Sequence, residues 1–95
     1  MSLKDRFNKY MDEYKKFDDC TRKYVYRPDL NAMILLNMID LPSGGFPIIS
    51  AAEDGEIYFN IDVSLLDNVE DSVILDLVRC GIAYDEVYNC LYKIV

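Results

Sequence analysis

The sequence has no histidine, no tryptophan and no Cys-x-x-Cys pair. Without histidine, the chain has no Ser-His-Asp triad, lacks the commonest zinc ligand, and has no side chain that ordinarily exchanges protons near neutral pH. The odd number of cysteines, at Cys20, Cys80 and Cys90, favours free thiols in a reducing compartment. We therefore predict a cytoplasmic protein without the common histidine-dependent sites.

Long apolar runs are also missing. The densest run, residues 32–36, is followed by Asn37 and Asp40, and it is far shorter than the roughly 18 apolar residues of a membrane span. The first six residues, Met-Ser-Leu-Lys-Asp-Arg, are charged where a signal peptide would carry an apolar core. We expect neither a secretory leader nor a membrane partner.

The charge that is present is mostly negative and unevenly distributed. The 95 residues carry 10 basic and 17 acidic side chains, for a net charge of −7. Residues 1–28 hold eight of the basic and five of the acidic residues, whereas residues 29–95 hold two basic and twelve acidic ones. An acidic body repels nucleic acid and anionic membranes and favours a basic protein surface. We predict a protein partner, basic in character, and no nucleic acid.

The first 27 residues show the repeat of an amphipathic helix. Apolar and aromatic residues recur at alternating steps of four and three, which are the a and d positions of a heptad. Arg27 precedes Pro28, so this helix must end by that point, although residues 21–26 also suit a short strand. The pattern predicts an N-terminal helix or arm over residues 1–27, with the seam Leu3, Phe7, Tyr10, Tyr14 and Phe17.

The acidic body, residues 28–95, alternates between helix and strand signals. Pro28 is a favoured first helical residue, and Asp54-Gly55 between two apolar segments predicts a β-hairpin. Two further helices are expected at about 69–80 and 83–95, separated by Gly81. We predict one α+β domain over residues 1–95, with about four helices packed on one face of a small antiparallel hairpin or sheet.

No constellation in the sequence predicts catalysis, a cofactor or a metal. The last two expected helices have the spacing of a helix-turn-helix, but the second would meet the phosphates with Asp85 and Glu86. The segment of residues 60–71 contains several carboxylates, but it lacks the glycine and the final glutamate of a calcium-binding loop. We assign no catalytic, cofactor-binding or metal-ligating residues, and a small enzyme with a carboxylate site is the least favoured alternative.

Two functional hypotheses follow from charge and aromatic content. The leading one is a non-catalytic protein-binding module, an inhibitor or accessory factor, whose acidic surface binds a basic partner. The alternative is a structural protein that forms a homodimer through its N-terminal helix, because tyrosine and phenylalanine seams are common at interfaces. The acidic surface is assigned to Glu53, Asp54, Glu56, Asp62, Asp85 and Glu86, and the self-association seam to Phe7, Tyr10, Tyr14 and Phe17.

Overall fold

The structure is a computed structural model that describes residues 2–40 and 47–94, and it is an α+β fold, as predicted. The α-helices are α1 (Leu3–Lys9), α2 (Pro28–Ile39) and α3 (Asp71–Arg79). The strands are β1 (Ile49–Glu53), β2 (Glu56–Phe59), β3 (Ile82–Asp85) and β4 (Cys90–Ile94). Short 3-10 segments cover Met11–Glu13, Phe17–Asp19 and Val63–Asn68. The segment after α2, residues 41–46, is rich in proline and glycine and lies outside the described residues.

The four strands form one antiparallel sheet in the order β1-β2-β4-β3. The predicted hairpin is confirmed: Asp54 and Gly55 form a two-residue turn, with φ angles of 53° and 80°. Two successive left-handed residues match the right-handed twist of the flanking strands, and glycine adopts that conformation without steric cost. The second hairpin joins the first through the pairing of β2 with β4, so the small antiparallel sheet has four strands.

The predicted helix over residues 83–95 is wrong, because this segment forms the second hairpin. Tyr84, Val87, Tyr88 and Leu91 do have helical spacing, yet Val87 and Tyr88 are 82% and 73% exposed at the hairpin loop. The Asp85 carboxylate accepts hydrogen bonds from the backbone N–H groups of Val87 and Tyr88, at 2.8 and 3.2 Å, which stabilises the loop. A lone two-stranded hairpin is marginal in water, so pairing with β2 overrides the local helical pattern.

The long N-terminal helix is also wrong: α1 ends at Lys9, and residues 10–27 form 3-10 segments and irregular chain that contact α3. The buried Asp76 carboxylate accepts hydrogen bonds from the backbone N–H groups of Thr21 and Arg22 and from both of their side chains. Residues 21–26 are held there as irregular chain, not as the alternative strand. A buried carboxylate must be hydrogen-bonded, and satisfying Asp76 outweighs the heptad pattern.

The hydrophobic core lies between the helices and one face of the sheet. On the sheet side, Ile57 and Phe59 of β2 point into it together with Ile82 and Leu91. Side chains alternate between the two faces of a sheet. The opposite face therefore carries the intervening residues of the same strands, and this face contains the candidate site. The helices and connecting segments contribute Phe7, Leu35, Leu36, Leu66, Ile74, Leu77 and Val78 to the core.

Candidate protein-binding surface

The sheet face away from the core carries a cluster of tyrosines. Tyr58 of β2 lies opposite Tyr92 of β4, and their ring centroids are 6.1 Å apart. Tyr88, from the β3–β4 loop, packs edge-on against Tyr58, with centroids 6.5 Å apart and planes at 78°. These are favourable distances and orientations for aromatic pairs. Together the three rings form an aromatic surface on the side of the sheet away from the core.

A cleft of about 390 Å³ opens beside these rings, which we call the tyrosine cleft. Volume alone does not distinguish it, because other clefts on the protein are of similar size. The distinguishing feature is its lining, which combines aromatic rings with a carboxylate and a thiol. The cleft volume is at the small end of the range for ligand sites, so the cleft can hold a side chain rather than a large cofactor. The lining residues are Ser50, Ala51, Glu53, Tyr58, Tyr88 and Cys90.

Carboxylates surround the Tyr58 hydroxyl. This hydroxyl donates a hydrogen bond to the Glu56 carboxylate, and that bond raises the pKa of Tyr58 to about 12. Burial and the negative charges of Glu56, Asp85 and Glu53 act in the same direction. The phenol is therefore protonated at neutral pH, and the ring lies in a negative field.

Cys90 does not have the surroundings of a reactive cysteine. Burial raises the pKa of this thiol, and the nearby Asp85 carboxylate raises it further. Asp85 lies opposite Cys90 across the β3–β4 pair. Nucleophilic cysteines need cationic neighbours that favour the thiolate, whereas the neighbouring charge at Cys90 is negative.

The six acidic residues predicted for partner binding are not all in one place. Glu53 lines the cleft, Asp54 occupies the adjoining turn, and Glu56 and Asp85 lie near Tyr58. The other two are engaged elsewhere. Asp62 caps the segment Val63–Asn68 by accepting hydrogen bonds from Ser64, and Glu86 forms an ion pair with Lys4 at 3.0 Å.

The four residues predicted for self-association pack against the core of their own chain. Phe7 is 2% exposed and stacks with Tyr84, at a centroid distance of 6.2 Å. The Tyr10 hydroxyl donates a hydrogen bond to Asp71, 2.9 Å away. Tyr14 and Phe17 are partly buried against the same core. The aromatic seam thus packs at least partly against its own chain, and the helix predicted to carry it as one stripe ends at Lys9.

Tyr58, Cys90 and Tyr92 were not among the site residues predicted from the sequence. Tyr58 and Glu56 alternate with Ile57 along β2 and lie on the side of the sheet away from the core. Tyr92 was hidden by the helical interpretation of residues 83–95. The usable signal was the run Cys90–Ile94, which is short, apolar and aromatic after a turn containing Asp85 and Asn89.

Membrane, metal and family comparisons add no further assignment. In the part of the chain that the structure describes, the longest helix, α2, has 12 residues, and no helix is long and apolar enough to cross a bilayer. Within residues 2–40 and 47–94, no group of three potential metal-ligating side chains is arranged around a common point. No family model, curated protein or solved structure matches the chain. Fold and surface define a small α+β domain with an acidic, tyrosine-lined cleft on its sheet.

Proposed function

We propose that this protein is a non-catalytic protein-binding module whose tyrosine cleft holds a lysine or arginine side chain from a basic partner. The observation that carries the proposal is the convergence of Tyr58, Tyr88 and Glu53 on one cleft. An aromatic face attracts a cation, and a carboxylate at the same point adds a charge-assisted hydrogen bond. An inhibitor or accessory factor that masks a basic surface would use such a site.

The charges near the cleft favour a cationic ligand. Among the described residues, Glu53 and Asp54 take part in no ion pair, and Glu56 is bonded to Tyr58 rather than to a cation. A cation–π contact contributes about 0.5–2 kcal/mol, depending on how far the site is desolvated. The acidic residues of the chain also attract a basic partner over a longer range and speed its encounter.

Exposed apolar groups beside the cleft extend the surface available to a partner. Val87 and Tyr88 stand at the tip of the β3–β4 loop, and both side chains are largely exposed. Tyrosine is among the residues that most often dominate binding energy at interfaces. We expect Tyr88 to provide the largest apolar contact and the carboxylates to provide selectivity for a cation.

The proposal includes a cytoplasmic location. All three cysteines, Cys20, Cys80 and Cys90, are free thiols. The sulfur atoms of Cys20 and Cys80 lie 3.9 Å apart without a covalent bond, an arrangement that suits a reducing compartment.

The proposal is tested with two charge reversals that change the net charge equally. Glu53→Lys reverses a carboxylate in the cleft, whereas Asp67→Lys reverses an exposed one on the segment Val63–Asn68. Fluorescence anisotropy of a labelled arginine-rich peptide should show at least about tenfold weaker binding to Glu53→Lys, which corresponds to ~1.4 kcal/mol. Binding to Asp67→Lys should change by much less.

Equal weakening by both reversals would mean that only net charge matters and would contradict a defined site. A third variant, Tyr88→Ser, removes the exposed ring without changing charge. Weaker peptide binding to this variant at high salt, where screening suppresses long-range attraction, would support the aromatic contribution. Unchanged binding would remove Tyr88 from the site.

A further inference from the structure

A second cleft, also of about 390 Å³, gathers basic side chains at the C-terminal end of α3. Arg79 and Lys93 are the only basic residues after residue 28, and both line this cleft. Lys15 joins them from the N-terminal arm. In a chain of net charge −7, this concentration of positive charge is unusual enough to need an explanation. The remaining lining includes Pro28, Asp29 and Cys80.

The absence of a side chain at Gly81 leaves space for the side chains of Lys15 and Lys93 to approach each other. Gly81 has a φ of 89°, and a Cβ atom at this position would lie 2.7 Å from Lys93 Nζ and 3.5 Å from Lys15 Cγ. Both lysine side chains therefore cross the space above a residue that has no side chain. Any other residue at Gly81 would push them apart and would also be strained at this φ.

Each lysine is held in place by the end of α3. Lys93 Nζ donates a hydrogen bond to the Cys80 carbonyl oxygen, 3.2 Å away. Lys15 has a left-handed φ of 64°, and its backbone N–H donates to the Val78 carbonyl at 3.1 Å. A left-handed conformation is unfavourable for lysine, so its retention depends on such contacts. Lys93 is thus held through its side chain, whereas Lys15 is held through its backbone and its exposed side chain passes over Gly81.

The charges in this cleft are incompletely balanced. Arg79 is paired with Glu13 at 3.2 Å and donates to the Asp19 carbonyl oxygen. Within the described part of the chain, neither Lys15 nor Lys93 has a carboxylate within 4.0 Å. Burial lowers the pKa of Lys93 and the charge of Lys15 lowers it further, while Asp29 partly opposes them. An added anion would relieve the repulsion between the two ammonium groups.

We propose that this cleft is a binding site for a small oxyanion of the phosphate class, held by Lys15 and Lys93. A phosphate group carries close to two negative charges and several acceptor oxygens. It can therefore pair with both Lys15 and Lys93, whose charges repel each other, better than a single carboxylate can. Arg79 also lines the cleft and adds positive charge there, although it is paired with Glu13. This site is independent of the tyrosine cleft, which selects charge of the opposite sign.

The test is a titration of the ¹⁵N-labelled full chain with inorganic phosphate, followed by amide chemical shifts and by calorimetry at low ionic strength. We expect saturable shifts centred on Lys15, Gly81 and Lys93. Lys15→Gln, at an exposed position, should weaken binding about tenfold or more, which corresponds to ~1.4 kcal/mol. Lys4→Gln removes the same charge from α1 and should leave the affinity nearly unchanged.

Three results would overturn the proposal: non-saturating shifts spread over the surface, equal weakening by both substitutions, or chloride competing as well as phosphate. Lys93→Gln gives a second reading of the site where its fold is intact by circular dichroism. A parallel titration with phenyl phosphate distinguishes a phosphate monoester from free phosphate as the natural ligand. Tighter binding than inorganic phosphate indicates a phosphate monoester as the natural ligand, and equal or weaker binding indicates free phosphate.

Discussion

The two faces of the sheet use acidic residues in opposite ways. On the helical side, the carboxylates of Asp71 and Asp76 accept hydrogen bonds from Arg6, Tyr10, Thr21 and Arg22, and these bonds join the N-terminal arm to α3. On the other side, Glu53 and Asp54 make no ion pair within the described residues. Carboxylates on the helical side therefore stabilise the fold, and we propose that Glu53 on the other side binds a partner. Net charge alone does not distinguish these roles.

The largest expected effect is at Asp76, the fully buried carboxylate on the helical side. Asp76→Ala leaves the donors of Thr21 and Arg22 without their acceptor, and we expect a loss of about 3–5 kcal/mol in the free energy of unfolding. Urea denaturation measures this loss. Thr21→Val removes only the hydroxyl contacts and should cost about 1–2 kcal/mol. Asp67→Ala, on the exposed segment Val63–Asn68, should change stability by less than about 0.5 kcal/mol.

If Asp76→Ala lost no more free energy of unfolding than Asp67→Ala, the contrast between the two faces would fail, because the Asp76 carboxylate would then not join the arm to α3. In that case the arm would have to be held by its apolar contacts, chiefly Phe7 and Phe17.

The second prediction concerns stability at acid pH. Burial alone would raise the pKa of Asp76, but hydrogen bonds from Thr21 and Arg22 outweigh it, and the folded-state pKa lies below the ordinary value of 3.8. The pKa of Asp71 is lowered by its bonds to Tyr10 and Arg6. The folded state therefore binds fewer protons than the unfolded chain. The stability from these groups is complete above the unfolded pKa and is lost as the pH falls through the folded pKa.

Thermal unfolding between pH 7 and pH 2 checks this prediction, with the steepest loss expected below about pH 4. Asp71→Asn should be less stable at neutral pH and should lose less on acidification than the unmodified chain. Parallel curves for the two proteins would contradict the assignment of acid sensitivity to Asp71.

The third prediction, with a smaller expected effect, is that the cysteines on the two sides of the sheet react with an alkylating agent at different rates. Burial raises the pKa of Cys20 to about 12 and also raises that of Cys80, and both sulfurs are enclosed in the core. Cys90 is only partly buried in the tyrosine cleft. We expect iodoacetamide to modify Cys90 first, as located by peptide mass spectrometry. A bound arginine-rich peptide should slow that reaction, whereas earlier labelling of Cys20 or Cys80 would show that the helical side opens more readily than the sheet face.

Local signals predicted the elements that are determined locally. Pro28 marked the start of α2, Asp54-Gly55 marked the first hairpin, and Gly81 marked the end of α3. The α+β class followed from these three. The end of α1 and the second hairpin could not be predicted in the same way, because Asp76 and β2 impose them across more than 30 residues of sequence.

The candidate site shows the same limit. Acidity directed attention to Glu53, Glu56 and Asp85, but the tyrosine cleft exists only because β2 pairs with β4. That pairing brings Tyr58 next to Tyr92 and, through the β3–β4 loop, next to Tyr88. This pairing could not be predicted from the sequence, because the spacing of Tyr84, Val87, Tyr88 and Leu91 fits a helix as well as it fits a hairpin.

The most direct test of the central claim is to map a bound arginine-rich peptide onto the ¹⁵N-labelled protein by amide chemical shifts. Binding in the tyrosine cleft predicts the largest changes at residues 50–53, 58 and 85–92, and their loss in Glu53→Lys but not in Asp67→Lys. Changes centred on the N-terminal arm or on Asp62, or changes that persist in Glu53→Lys, would contradict a cation-binding cleft on the open face of the sheet.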